Sequence, residues 1–247
     1  VEEVAQQVLR SNIDQNILLQ AERLGTRPTN SAATRFIKFP SNNAGLDRDV
    51  EFLPTNDELA ERRDNKERLT SPELSVLTAY SKLWLTQTLI DENFGQDRWL
   101  EPVLQEYFPS AVREKYGKHF WSHPLRREII ATKVANEVVD TAGIVFVFRV
   151  VEETGASVST VVRSFLAVSA IFGLKDAMQQ VRELAPTTDP DVWRSLVYGI
   201  QRFTDRAVRK VVQEGTLARA EVSGEIEGVM ESFINRFSQV QSLCGHL

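Results

Sequence analysis

The chain has 247 residues, of which 42% are hydrophobic, and it contains only 12 Gly and 9 Pro. This length suffices for one large domain or two small ones, and the low Gly and Pro content argues against a disordered chain and against a loop-rich β-protein. The net charge of −5 excludes a global basic field toward nucleic acid or anionic membranes, and the single cysteine, Cys244, excludes an internal disulfide framework and a cysteine-based zinc cluster.

The start of the chain and its apolar runs bear on its location. Residues 1–4 include two glutamates, whereas a secretory signal has Lys or Arg before its apolar run. No apolar run approaches the roughly 18 residues that a membrane span requires. We therefore expect a cytoplasmic protein without membrane contacts. Residue 1 is not Met, and helical spacing begins at once without a capping residue, so we expect the numbering to begin inside a longer protein.

The first fifth of the chain is a helical segment followed by a polar connection. Apolar residues follow helical spacing over residues 1–24, and residues 25–49 are rich in Pro, Asn, Ser and Gly, which marks the best candidate boundary. Residues 36–39 and 50–53 are the only extended candidates. They allow at most one small β-hairpin near residues 34–53.

Capping signatures mark the next two helices. Thr55 with Glu58 has the spacing of a capping box. In this motif the Thr hydroxyl accepts the backbone N–H of the Glu, and the Glu carboxylate accepts the backbone N–H of the Thr. Thr70 with Glu73 repeats that spacing, while Ser71-Pro72 offers a second way to start the same helix, with Pro at its first position. Both alternatives remain open at the level of sequence.

Apolar periodicity predicts further helices from residue 99 to the C-terminus, the last running through Val229, Phe233 and Phe237. The run 144–151 is rich in β-formers, but the polar residues 149, 152 and 153 recur at helical spacing and favour a helix. The predicted fold is all-α, with roughly ten helices packed antiparallel by short links. The residues predicted to end a helix are Pro109, Gly143, Gly173 and Gly215, and those predicted to begin one are Ser157 and Asp189-Pro190.

No catalytic or cofactor motif is present in the sequence. It has no Gly-x-Gly-x-x-Gly, no phosphate-binding loop, no Gly-x-Ser-x-Gly and no His-Glu-x-x-His. His119 and His123 have the spacing of two metal ligands on one helix face, but Pro124 follows at once and no third ligand is near. We predict no catalytic residue, no cofactor-binding residue and no metal site in this chain.

A basic stripe on one predicted helix is the main alternative source of function. Its members are Arg202, Arg206, Arg209 and Lys210. Such a face could serve a stand-alone helical binding or scaffold protein, for instance one that binds nucleic acid. Because the chain is net acidic and Asp205 lies within the stripe, we favour a solvated helix face and expect no nucleic-acid partner.

Polar residues on otherwise apolar helices form the only candidate site. Asn136 and Asp140 are four residues apart beside a stripe of Ala and Val, where burial would require hydrogen-bond partners. Arg126, Arg127 and Arg149 are near in sequence and could supply those partners. We predict that these five residues form a structural network or a docking surface for another domain.

The segment that contains these residues also carries a family likeness. Its most specific parts are HPLRREIIAT at 123–132, Ala135-Asn136, GIVFVFR at 143–149 and EETGA at 152–156. The segments LDRDVEFLP at 46–54, LTSPELSVL at 69–77 and YFP at 107–109 add to it. Together they resemble the C-terminal region of the large bacterial NAD-specific glutamate dehydrogenases, most strongly over residues 46–160. Ser71, Ser81 and Asp140-Thr141 depart from the family's usual residues.

The resemblance implies a parent subunit several times longer, which forms a homo-oligomer and oxidises L-glutamate with NAD to 2-oxoglutarate, ammonium and NADH. It implies that residues 1–24 continue from an upstream catalytic domain, that 25–49 are a linker and that 50–247 are a C-terminal helical domain. No catalytic position of the family has a match in this window. The implied role is support or regulation of the catalytic domain of the same parent chain, with NAD bound elsewhere in the parent.

Overall fold

The computed structural model describes residues 2–24, 35–37, 39 and 46–232, apart from the side chains of residues 24 and 221–223. Several features named above lie outside these residues: most of the connection 25–49, the end of the last helix at Phe233 and Phe237, and Cys244. The described residues form α-helices, short 3-10 segments and turns, so the predicted all-α class is confirmed.

The helices follow one another through short links. The first six are α1 (Glu2–Leu24), α2 (Asn56–Asp64), α3 (Ser71–Asp91), α4 (Glu101–Tyr107), α5 (Ser110–Tyr116) and α6 (Arg126–Ala142). The next five are α7 (Phe146–Thr154), α8 (Val158–Phe172), α9 (Leu174–Leu184), α10 (Pro190–Glu214) and α11 (Thr216–Ser223). Residues 226–232 are again helical after a break at Gly224. The 3-10 segments are Phe94–Gln96, Arg98–Leu100 and Gly117–Ser122.

The capping predictions are confirmed in atomic detail. The backbone N–H of Thr55 donates to Glu58 Oε2 at 2.7 Å, and the N–H of Glu58 donates to Thr55 Oγ1 at 3.3 Å. At the start of α3 the N–H of Thr70 donates to Glu73 Oε2 at 2.6 Å, which decides between the two alternatives in favour of Thr70 as the cap. Ser157 also caps its helix as predicted.

The predicted hairpin near residues 34–53 is wrong for the residues that the structure describes there. Residues 35–37 and 39 are helical, and residues 48–52 form turns. The carboxylate of Asp47 accepts the N–H groups of Asp49 and Val50 at 3.0 and 3.2 Å, so these donors are satisfied locally rather than by a neighbouring strand. Phe36 and Ile37 are fully buried in the main core.

Helix α6 is the centre of the fold. It packs against α1, α3, α4, α8 and α10. Its buried residues form a broad stripe that includes small side chains, which allow neighbouring helices to approach closely. These residues are Ile130, Ala131, Val134, Ala135, Val138, Val139 and Ala142.

Helix α7 confirms the helical interpretation of the β-rich run. It begins at Phe146, because Gly143 has φ +106° and turns the chain before the helix starts. Helices α7 and α8 together have the length and apolar composition of a membrane span, but they are bent by 118° relative to each other. In the described part of the chain, no single helix is long and apolar enough to span a membrane.

A buried ion pair that sequence reasoning missed ties α8 to the loop before α4. Arg163 is only 4% exposed, and its Nε and Nη2 donate to Asp97 Oδ2 at 3.0 and 2.9 Å. The guanidinium carbon also lies 5.2 Å from the centre of the Phe94 ring. Such a pair holds its two elements in one register, because separating it leaves a buried charge without a partner.

Substitution of Leu85 tests the main core. Leu85 on α3 is fully buried, whereas Leu83 on the same helix is 60% exposed. We expect Leu85→Ala to lower the free energy of unfolding by about 2–5 kcal/mol, because it removes buried methyl groups and leaves a cavity. Leu83→Ala, the matched control, should change it by less than about 0.5 kcal/mol. Urea titration of both variants measures the difference, and equal effects would contradict this description of the core.

Candidate functional site

A cavity of about 220 Å³ lies where α1, the α6–α7 turn and α10 come together. Part of its wall is apolar and is formed by Leu69, Leu74 and Leu77 among others. The rest of the wall is charged, with four arginines against two carboxylates. These residues are Arg68, Arg149, Arg202, Arg206, Glu22 and Asp205.

The α6–α7 turn closes one end of the cavity. The N–H of Ile144 donates to Glu22 Oε1 at 3.2 Å, and the Ile144 carbonyl accepts from Ser81 Oγ at 2.7 Å. Gly143 has φ +106°, a conformation that favours glycine, and a Cβ there would lie only 2.8 Å from the same oxygen of Glu22, so a larger residue would displace that carboxylate. Burial raises the pKa of Glu22, although the Ile144 hydrogen bond and Arg149 act in the opposite direction.

Arg149 begins a chain of ion pairs that links α7 to α10. Its Nη2 donates to Asp205 Oδ1 at 2.5 Å, and Asp205 Oδ2 accepts from Arg209 Nε at 3.1 Å. Arg209 also pairs with Glu153. Within the described residues, two buried donors at this site, Arg149 Nε and Gln201 Nε2, have no hydrogen-bond partner.

The basic stripe of α10 is divided by these contacts. Arg209 pairs with two carboxylates, and Lys210 lies 3.5 Å from Glu214. Arg202 and Arg206 instead line the cavity. The guanidinium of Arg202 lies 5.6 Å from the centre of the Tyr198 ring. The stripe therefore does not present one continuous basic face.

The five predicted network residues are all half-buried but have separate surroundings. Arg126 and Asp140 lie at opposite ends of α6, about 20 Å apart at 1.5 Å per residue. Arg126 Nη1 donates to the Trp121 carbonyl at 2.6 Å. Among the described residues, no hydrogen bond or ion pair joins any two of the five, which also include Arg127, Asn136 and Arg149. Their docking role stays a prediction.

The two histidines near residue 120 do not share an α-helix. His119 is exposed in the 3-10 segment, and His123 follows that segment. His123 Nδ1 accepts the N–H of Leu125 at 3.1 Å, so this nitrogen is already engaged. Across residues 2–24 and 46–232, no group of three or more His, Cys, Asp or Glu side chains is arranged to hold a metal ion.

Asp140 has a partner that sequence spacing could not indicate. Its carboxylate lies 2.7 Å from Lys82 Nζ, and the two side chains are only 13% and 11% exposed. Burial raises the pKa of Asp140 to about 6, while Lys82 counteracts part of that rise. Glu22 and Asp205 were also missed as site residues, because their partners are distant in the chain.

The raised pKa of Asp140 predicts a pH dependence of stability. Since the folded-state pKa of about 6 exceeds the ordinary value of 3.8, the folded chain holds an extra proton between these values. The resulting stabilisation is present below about pH 4 and is lost as the pH rises through 6. We expect the free energy of unfolding of the wild type, relative to Asp140→Asn, to fall by on the order of 3 kcal/mol over this window.

Urea titrations at a series of pH values measure this relative change. Asp64→Asn removes one negative charge at a side chain that is 74% exposed and is the matched control. A difference between the wild type and Asp140→Asn that stays constant with pH would contradict the prediction.

Comparison with known proteins matches this chain to one family. The family model described as glutamate dehydrogenase, C-terminal, matches residues 66–246. An NAD-specific glutamate dehydrogenase of Mycobacterium tuberculosis is 36% identical over 208 residues, which cover 84% of this chain and 13% of that protein. The same-named protein of Halomonas elongata is 31% identical over 244 residues, covering 99% of this chain and 15% of the relative.

A third relative, the NAD-specific glutamate dehydrogenase of Pseudomonas aeruginosa, is 37% identical over 164 residues, or 66% of this chain and 10% of that protein. The chain thus spans about one seventh or less of the length of each of these relatives. The family match covers well over half of the chain, and it includes α6, the α6–α7 turn and α10. The chain belongs to the family of glutamate dehydrogenase C-terminal regions.

Proposed function

We propose that this chain is the non-catalytic C-terminal helical domain of an NAD-dependent glutamate dehydrogenase. The parent enzyme oxidises L-glutamate with NAD to 2-oxoglutarate, ammonium and NADH, in the cytoplasm and as a homo-oligomer. Within it, residues 50–247 form most of the helical domain, the linker 25–49 contributes Phe36 and Ile37 to its core, and residues 1–24 continue from the catalytic domain. The domain acts by binding the rest of its parent, and the observation that carries this proposal is the unequal burial of helix α1.

The two halves of α1 have different surroundings. Ile17, Leu18 and Ala21 in the second half are buried in this domain. The first half exposes four large apolar side chains to solvent: Val4, Val8, Leu9 and Ile13, which are 45%, 56%, 60% and 42% exposed. Since these residues lie on more than one side of the helix, the exposed half has the character of a segment that is covered by further protein.

A second exposed apolar feature lies in the turn before α2. Phe52 is 89% exposed and has φ +51°, a left-handed conformation that is uncommon for a bulky residue. Val50 beside it is 68% exposed. The turn is fixed by hydrogen bonds, including that from the N–H of Leu53 to the Arg48 carbonyl at 2.9 Å. A rigid turn that holds an aromatic side chain outward supports a docking role for this segment as well.

The helical architecture of this domain supports the proposal that NAD binds elsewhere in the parent enzyme. A Rossmann-type dinucleotide site requires a parallel β-sheet with a glycine-rich turn, whereas the described residues form helices and turns. We therefore assign NAD and the reacting groups to the rest of the parent enzyme. The alternative of a stand-alone binding protein that uses the basic stripe has less support, because Arg209 and Lys210 of that stripe are paired with carboxylates.

The isolated chain of 247 residues should form no NADH from L-glutamate and NAD. It should also give no binding signal with NAD in calorimetry. The parent enzyme, measured in parallel, is the positive control for both assays. Micromolar binding of NAD to the isolated chain would contradict the proposal that this domain is non-catalytic.

Substitutions in the first half of α1 test the docking role. We expect Val8→Asp with Leu9→Asp to lower the melting temperature of the parent enzyme, because each buried apolar side chain of this size contributes about 1.5–3 kcal/mol. In the isolated chain the same double variant should change stability by less than about 0.5 kcal/mol per site, since both residues are exposed there.

The matched control is Gln6→Asp with Gln7→Asp, which adds the same charge on the same turn of α1. Size-exclusion chromatography of the parent shows whether assembly is affected as well. Equal melting temperatures of the two double variants in the parent would argue against a buried apolar contact at Val8 and Leu9.

A further inference from the structure

The cavity between α1, the α6–α7 turn and α10 has a cationic character that the chain as a whole lacks. The chain carries a net charge of −5, yet arginines outnumber carboxylates in the cavity wall. Asp205 is already engaged by Arg149 and Arg209. The other carboxylate, Glu22, accepts the N–H of Ile144, and burial raises its pKa.

Two arginines of this wall have no carboxylate partner in the part of the chain that the structure describes. Arg206 makes no hydrogen bond or ion pair with any residue that the structure describes, and Arg202 contacts the Tyr198 ring. They are four residues apart on α10 and therefore lie on one face of that helix. The planar guanidinium group matches the geometry of carboxylate and phosphate oxygens and binds them through paired hydrogen bonds.

Two further side chains of this wall each have a buried donor nitrogen. Arg149 Nε and Gln201 Nε2 are buried and have no partner among the described residues. A buried donor without an acceptor costs about 1–3 kcal/mol, so native proteins rarely leave one unsatisfied. Both side chains line the cavity, but these two nitrogen atoms have almost no surface open to it, so the positive charge that a ligand meets comes mainly from Arg202 and Arg206.

The apolar part of the wall selects for a ligand with a carbon body. Leu69, Leu74 and Leu77 line the cavity together with the charged residues. A cavity needs about 10–15 Å³ of accessible space to hold one water molecule, so about 220 Å³ has room for a small metabolite. An inorganic ion would leave the leucine surface uncovered.

We propose that this cavity is a binding site for a small organic dianion, whose carboxylate or phosphate groups contact Arg202 and Arg206 and whose carbon body contacts the leucines. The site is separate from the docking surface on the first half of α1. It does not rest on the proposed function, because binding can be measured on this chain alone.

Isothermal titration calorimetry of the 247-residue chain at fixed ionic strength tests the proposal, with succinate and glycerol 3-phosphate as probes. We expect at least one of them to bind with a dissociation constant of about 1 mM or tighter. Binding of succinate alone assigns the site to dicarboxylates, and binding of glycerol 3-phosphate alone assigns it to phosphate esters. Failure of both probes to bind at about ten times that concentration overturns the proposal.

Variants then locate the site. Arg202→Ala with Arg206→Ala should weaken binding at least tenfold, while Arg63→Ala with Lys118→Ala removes two exposed cations away from the cavity and should leave it unchanged. Arg202 and Arg206 are both exposed, so their removal should preserve the fold, which thermal unfolding without ligand checks. Equal weakening by the two double variants would show a general charge effect and would overturn the assignment.

Discussion

The burial of helix α6 is the constraint on which the rest of this structure depends. Its central side chains, from Ile130 to Val138, include residues with no exposed surface, and five other helices cover it. Its charged side chains are therefore confined to its start and to one half-buried face, which carries Lys133, Glu137 and Asp140. Arg126 lies at its start, and Asp140 lies in its last turn with Lys82 as partner.

The cavity and the α6–α7 turn follow from the way α6 ends. Gly143 turns the chain sharply with its positive φ, and the carboxylate of Glu22 on α1 accepts the N–H of Ile144 in that turn. Helix α7 then places Arg149 next to α10, where its Nη2 donates a hydrogen bond to Asp205. The same turn that closes the core therefore assembles a partly cationic pocket from three separate parts of the chain. The proposed docking through α1 and the proposed anion binding in the pocket involve different parts of the fold.

Local chemistry explains how much of the fold could be predicted from sequence. The capping boxes at Thr55 and Thr70 and the broad stripe of α6 depend on spacing within a few residues, and the structure confirms them. The site depends on pairs that are far apart: Glu22 with Ile144 is separated by 122 positions, and Lys82 with Asp140 by 58. Spacing rules cannot predict pairs that lie so far apart in the chain. The predicted polar residues are indeed half-buried, but their partners could not be identified from the sequence.

Hydrogen exchange on the isolated 247-residue chain tests most directly whether α6 is the stable centre of the domain while the start of α1, with its exposed apolar side chains, is held only weakly. The backbone amides of α6 should exchange only through global unfolding, so their opening free energy should equal the free energy of unfolding from urea titration. Amides of residues 4–13 in α1 should open with a much smaller free energy. Protection of residues 4–13 as strong as that of α6 would contradict the account.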